Sequence, residues 1–196
     1  MEPQTFVFFG IGGSGKGTQV KLLMDFLKSR DGKECVYISP GIEYRKIIES
    51  GSYTGTLVKE SVSRGELQPG FFSDAIVMNI LISSLTSDSH LITDGYPREV
   101  TQAMTLEKMM KFYRRENVKV VYIEVGKTEA MKRNLLRGRH DDTKGGIEKR
   151  FDEYMNKVVP AMNYFKDKAG YTIYTINGEQ SVLDVHKDIL KALGFK

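Results

Sequence analysis

The chain has 196 residues, 40% of them hydrophobic, enough to bury the core of one domain, and a single domain is expected. Its 29 Lys and Arg stand against 25 Asp and Glu, a mild positive balance that argues against a dedicated nucleic-acid binder and leaves a small polyanion open as a ligand. Cys35 is the one cysteine, so an intramolecular disulfide and a multi-cysteine metal site are both excluded. In chain order, MEPQTFVFFGIGG shows no basic start leading into a long apolar stretch, and no run of about 18 apolar residues follows. A cytoplasmic chain without a membrane partner is expected. Residues 6–9 (FVFF) read as a first strand, and 10–19 (GIGGSGKGTQ) as a glycine-rich turn leading into a helix over 20–28. CVYIS at 35–39 reads as a second strand that carries Cys35 into the core. Between 39 and 70 two short helices are expected with no strand, then a helix over 72–85 and a strand over 90–94 (HLITD). A helix over 101–114, with Met104, Met109 and Met110 at packing positions, precedes a strand over 120–125. The polar stretch RGRHDDTKGG interrupts the alternation around 138–146. A helix over 147–165, a strand over 171–176 and an amphipathic helix over 181–193 complete the chain. Five strands separated by helical segments predict a parallel sheet wrapped by helices, and the two irregular stretches fall after strands, where open α/β sheets bind ligands.

The glycine-rich turn points to phosphate chemistry. A turn of this kind between a strand and a helix lets backbone N–H groups converge on phosphate oxygens at the positive end of the helix dipole. The P-loop pattern G-x-x-x-x-G-K-[ST] matches from Gly10 to Lys16, but Gly17 takes the hydroxyl position and Thr18 follows one place later. Lys16 supplies a point charge for the β- and γ-phosphates.

Four ordered segments resemble the adenylate kinase family of nucleoside monophosphate kinases, and the resemblance extends over essentially the whole chain. They are the GKGT variant of the P-loop, DGYPREVTQA with Gln102 four residues after Arg98, GRHDD followed by Arg150, and the weaker pair ISPGIEYR and GELQP. The resemblance implies a three-layer P-loop NTPase fold, α/β, with a five-stranded parallel sheet flanked by helices. It implies one kinase domain over 1–196, with a monophosphate-binding insert at 39–69 and a short lid at 137–146. ATP contacts are then expected from Gly13, Ser14, Gly15, Lys16, Gly17, Thr18, Arg133, Arg137 and Gln180. AMP contacts are expected from Pro40, Gly41, Arg45, Glu66, Leu67, Gln68, Gly95, Tyr96, Pro97, Arg98, Gln102, Arg139 and Arg150. Lys16, Arg98, Arg139 and Arg150 form the expected catalytic group, Arg139 and Arg150 bridging the transferring phosphoryl.

Phosphoryl transfer between two nucleotides gathers a large negative charge, and arginines neutralise it while water is excluded. Arg45, Arg98, Arg133, Arg137, Arg139 and Arg150 all lie in or beside the four segments. Asp94 ends a strand beside the P-loop and is expected to hold the water shell of Mg²⁺. No covalent nucleophile is required, since the acceptor phosphate is itself an oxyanion. Asp141 and Asp142 read as lid residues and His140 as a bystander. Two departures stand out: Pro40 replaces the family's threonine and Ile42 its aspartate, and Gly138 alone separates Arg137 from Arg139, leaving no room for a zinc-binding lid. Pro40 offers neither hydroxyl nor N–H, so Gln102 is expected to dominate base selection and AMP to be the acceptor, ATP and ADP being the other ligands. A monomer is expected. A pyrimidine monophosphate kinase is the nearest alternative, and a nucleotide-sensing module with little turnover is the alternative from another class. The latter has no need of Lys16, Arg98, Arg139 and Arg150 together.

Overall fold

A computed structural model describes residues 1–138 and 144–195. Strand β1 (Thr5–Phe9) is buried throughout because it lies at the centre of the sheet with helices on both faces. Val7 and Phe9 enter one apolar layer, Phe6 and Phe8 the other. The chain continues through α1 (Lys16–Asp31), β2 (Cys35–Ile38), α2 (Pro40–Glu49), α3 (Tyr53–Ser63) and α4 (Gly70–Ser84). It then forms β3 (His90–Asp94), α5 (Val100–Phe112), β4 (Val118–Glu124) and α6 (Lys127–Arg137). Helix α7 (Lys144–Glu153), a π-helical turn (Tyr154–Val158), α8 (Val159–Asn163), β5 (Tyr171–Asn177) and α9 (Val182–Ala192) follow. All pairings are parallel in the order β2-β3-β1-β4-β5, which is the three-layer P-loop NTPase arrangement expected. The layer of Leu23, Leu27, Val185 and Ile189 joins α1 and α9 to one face; that of Val77, Leu106 and Phe165 joins α4, α5 and the segment after α8 to the other. Each such fully buried side chain contributes roughly 1.5–3 kcal/mol.

Three expectations need correction, and one helix was not expected. The helix expected over 147–165 is divided: Pro160 has no N–H to close an α-turn onto Asn156, and the backbone passes through a π-turn, in which the Val159 N–H reaches the Tyr154 carbonyl. Met104 is 44% exposed while Met109 and Met110 are buried, because the inward stripe of α5 runs through Gln102, Ala103, Leu106, Met109 and Met110. Cys35 is half-buried at the flank of the α1–α9 layer; burial pushes its thiol up to about 11. Helix α6, which hydrophobic periodicity does not announce, buries Ala130 and Asn134 and exposes Leu135 and Leu136.

The sheet brings the functional segments to one edge. Phe8 pairs with Asp94, so the loop after β1 and the turn after β3 leave the carboxyl end of the sheet side by side. The opposite end is closed by His90, fully buried, which accepts from the Gln4 N–H at Nδ1 and meets the Asp31 carboxylate at Nε2.

Candidate active site

The loop between β1 and α1 is shaped by close approaches that only glycine permits. A Cβ at Gly10 would stand 2.7 Å from the Ile123 carbonyl oxygen, and one at Gly13 would stand 2.6 Å from that of Ala130; both glycines hold positive φ. Helix α1 begins at Lys16 behind Gly15, with no acidic residue in its first turn and no side chain among the described residues capping it. Its first N–H groups are therefore directed at the loop's concavity, where an anion satisfies them. Lys16 Nζ donates to the carbonyls of Gly10 (2.6 Å) and Ile11 (3.1 Å), which holds the ammonium across the loop. Ser14 is buried, and Thr18 is exposed on the first turn. Asp94 lies beside this loop: a Cβ at Gly17 would come 3.7 Å from its Oδ2. The same oxygen accepts from Tyr37 Oη at 3.1 Å. Burial, followed by the neighbouring Asp94 charge, pushes the Tyr37 hydroxyl up to about 12, so it remains a donor.

A second cleft opens beneath α2. Pro40, Leu67, Gln68, Gly95, Arg98 and Gln102 line it, as do Tyr44, Ser73 and Glu99, which sequence reasoning did not name. Arg98 Nε donates to the Gly95 carbonyl at 2.8 Å. Arg98 is partly buried; burial, and then the like charge of Arg150, lowers its pKa. Asp94 and Tyr44 oppose that shift, so the loop carboxylate and both arginines share one electrostatic field. Gln102 is 2% exposed, and its amide is engaged at both ends: Oε1 accepts from the Arg98 N–H at 2.7 Å, and Nε2 donates to the Gly70 carbonyl at 3.4 Å. Tyr44 Oη and Ser73 Oγ, both buried, lie 2.6 Å apart. Tyr96 is buried with its hydroxyl on Asp74 (2.7 Å), and the bond to Pro97 is cis. Arg45 is exposed and reaches over Gly41. In the GELQP turn the Gln68 side chain donates to Ser61 at 2.7 Å, and Glu66 binds Arg64 and Lys149, both at 3.0 Å. Arg64, then Lys149, hold the Glu66 carboxyl down to about 2.

On the donor side, Arg133 donates to Glu129 (2.7 Å) and to the Gly178 carbonyl (2.9 Å). Gln180 is exposed in the same loop, bonded to the Asn177 carbonyl and to Asp188. Arg150, on α7, lines a small hollow with Ile11, Gly12 and Asn134, directly against the P-loop. Arg139, His140, Asp141 and Asp142 lie outside the described residues, as does the side chain of Arg137. The geometry thus brings Lys16, Arg98, Arg150 and Asp94 to one edge of the sheet. Its chemistry is that of an anion trap bordered by a second, partly apolar cleft.

The adenylate kinase family model matches residues 8–170. The chain belongs to the adenylate kinase family. It is 34% identical over 184 residues to an adenylate kinase of Prochlorococcus marinus (strain MIT 9301), covering 93% of this chain and 94% of that protein. It is 31% identical over 191 residues to adenylate kinase 1 of Nostoc sp. (strain PCC 7120), covering 96% and 97%. An adenylate kinase of Thermosipho africanus is 29% identical over 218 aligned positions, covering 95% of this chain. Within this family member, Tyr44, Ser73 and Glu99 in the second cleft, Asn134 against the P-loop and Tyr37 on Asp94 are polar groups that sequence reasoning missed. A signal was present for Tyr37, in the CVYIS strand, and for Tyr44 and Glu99, which lie inside the segments ISPGIEYR and DGYPREVTQA.

Proposed function

We propose that the chain catalyses reversible phosphoryl transfer, ATP + AMP ⇌ 2 ADP. The observation that carries this reading is the adjacency of the two anion sites: the β1 loop with Lys16 and the β3 turn with Arg98 emerge from paired strands, Phe8 opposite Asp94. A donor phosphate chain on the first and a monophosphate on the second would meet between them, within reach of Arg150. Positioning and charge neutralisation then supply the rate, without a covalent intermediate. In this reading the segment 39–69 holds the acceptor, the segment 137–146 closes over the donor, and the whole chain acts as one kinase domain, monomeric and cytoplasmic. Among the described residues no helix is long and apolar enough to cross a membrane.

The residues present suit Mg²⁺. No group of three or more His, Cys, Asp or Glu gathers among the described residues, and beside the loop they offer the Asp94 carboxylate. Mg²⁺ prefers that setting, with phosphate oxygens and retained water completing its shell. When bound it would neutralise phosphate charge. In a coupled assay ADP is expected from ATP and AMP with Mg²⁺ and not in excess EDTA; full activity in EDTA refutes the metal assignment, and no ADP from any monophosphate refutes the kinase reading.

One observation favours a second reading, relaxed choice of acceptor. Gln102 spends its amide on the Arg98 N–H and the Gly70 carbonyl, so it braces the turn that carries Arg98 before it can read a base. Gln102→Ala leaves that N–H unpaired, at about 1–3 kcal/mol. The expected result is a 10- to 100-fold fall in kcat/KM for AMP and CMP alike, converted on the same energy scale, with their ratio held within about threefold. A loss confined to AMP would instead make Gln102 the base reader.

A further inference from the structure

Asn134 is a polar residue in the buried stripe of α6, 3% exposed. Its Nδ2 donates to the Gly12 carbonyl at 2.7 Å and to the Ala130 carbonyl at 2.8 Å. Both partners are acceptors, which fixes the amide orientation: the nitrogen is the atom that bonds the Gly12 carbonyl, while Oδ1 also lies near the loop, 3.6 Å from a Cβ placed at Gly12. A Cβ at Gly13 would stand 2.8 Å from that nitrogen, so the contact between helix and loop is tight as well as hydrogen-bonded.

The consequence lies in the peptide that joins Gly12 to Gly13. In a trans peptide the carbonyl and the following N–H point in opposite directions. A Gly12 carbonyl held towards α6 therefore turns the Gly13 N–H away from α6, into the concavity that α1 faces. A peptide flanked by two glycines has little steric barrier to flipping, and Gly13 already sits at φ +88°. The freedom that lets the loop wrap a phosphate thus also lets it turn the wrong face inward. We infer that Asn134 is a positioning residue for the donor nucleotide: it holds the Gly12–Gly13 peptide so that the Gly13 N–H faces the phosphates. Helix α6 is well suited to this task, being tied to the β5–α9 loop at two further points. The Gly126 N–H donates to Glu179 Oε1 at 2.8 Å, and Arg133 donates to the Gly178 carbonyl. The inference rests on the donor site described above and on nothing about the acceptor.

The test is equilibrium binding, measured by calorimetry in EDTA, so that neither turnover nor a metal enters. Asn134→Asp keeps the volume and loses the donor; Asn134→Ala loses both. Each is expected to weaken ATP binding about tenfold, the loss of one anchoring hydrogen bond, while AMP affinity stays within twofold. Asn134→Asp should be at least as harmful as Asn134→Ala, because a carboxylate oxygen would face two carbonyls. A packing role predicts the reverse order. ATP affinity unchanged in both variants, or equal losses of ATP and AMP affinity, overturns the proposal. If Asn134→Asp does not fold, Asn134→Ala alone decides by the ratio of the two affinities. Wild-type protein that binds AMP and not ATP would refute the donor-site reading itself, a result distinct from any effect of the variants.

Discussion

Lys16→Met is expected to lower kcat by about 10²–10³-fold, the loss produced by removing one preorganised donor aimed at developing charge. The ammonium lies across the P-loop through the Gly10 and Ile11 carbonyls, a position from which it can move to the phosphates of a bound donor. Methionine approximates the length of the stem and supplies neither charge nor donor. The fold should survive, since the net worth of such a hydrogen bond is about 1 kcal/mol. Coupled turnover measured beside a thermal melt checks both halves. A variant that keeps more than about a tenth of wild-type turnover would show that Lys16 braces the loop and does not serve the reaction.

Arg98→Met separates function from stability in the other cleft. Arg98 is partly buried, and burial lowers its pKa, which means that the folded protein carries an unfavourable desolvation in exchange for a cation at the acceptor site. An incoming monophosphate relieves that imbalance. Removing the charge is therefore expected to reduce kcat/KM for AMP by about 10²–10³-fold, the range for losing one partner of a buried charge pair. The melting temperature should hold steady or rise, since apolar replacements of buried ions are often neutral or stabilising by about 1 kcal/mol or more. A marked fall in melting temperature with little effect on AMP would instead mark Arg98 as a structural brace for the β3 turn.

The two arms of the site were unequally legible in the sequence. Five apolar strands, a glycine turn and a lysine announce the sheet and the donor loop, because both depend on local patterns: strand hydrophobicity on two faces, and glycine where the backbone approaches itself. Gln102 was found through resemblance to the family, but its engagement with the Arg98 N–H could not be foreseen, since it depends on how the β3 turn folds back upon α5. Asn134 was invisible for a different reason. Leu135 and Leu136 suggest an apolar face of α6, yet both are exposed, and the buried stripe is Ala130 with Asn134, small and polar groups that fit against glycines. Periodicity records hydrophobicity; it does not record a need for close approach. Pro160, in contrast, was in plain view as a reason for the long carboxyl-terminal helix to break.

The Glu66–Lys149 contact places the end of α3 against α7, and the backbones are close there as well: a Cβ at Gly65 would stand 2.9 Å from the Gly146 carbonyl oxygen. The segment expected to hold the acceptor and the helix that carries Arg150 thus touch through an exposed ion pair and a pair of glycines. Such an exposed ion pair weakens as salt is added. It behaves as a clasp rather than a weld. Parting it costs little beside the burial that holds the sheet and its two helical layers, so nucleotide exchange can proceed many times without the scaffold loosening.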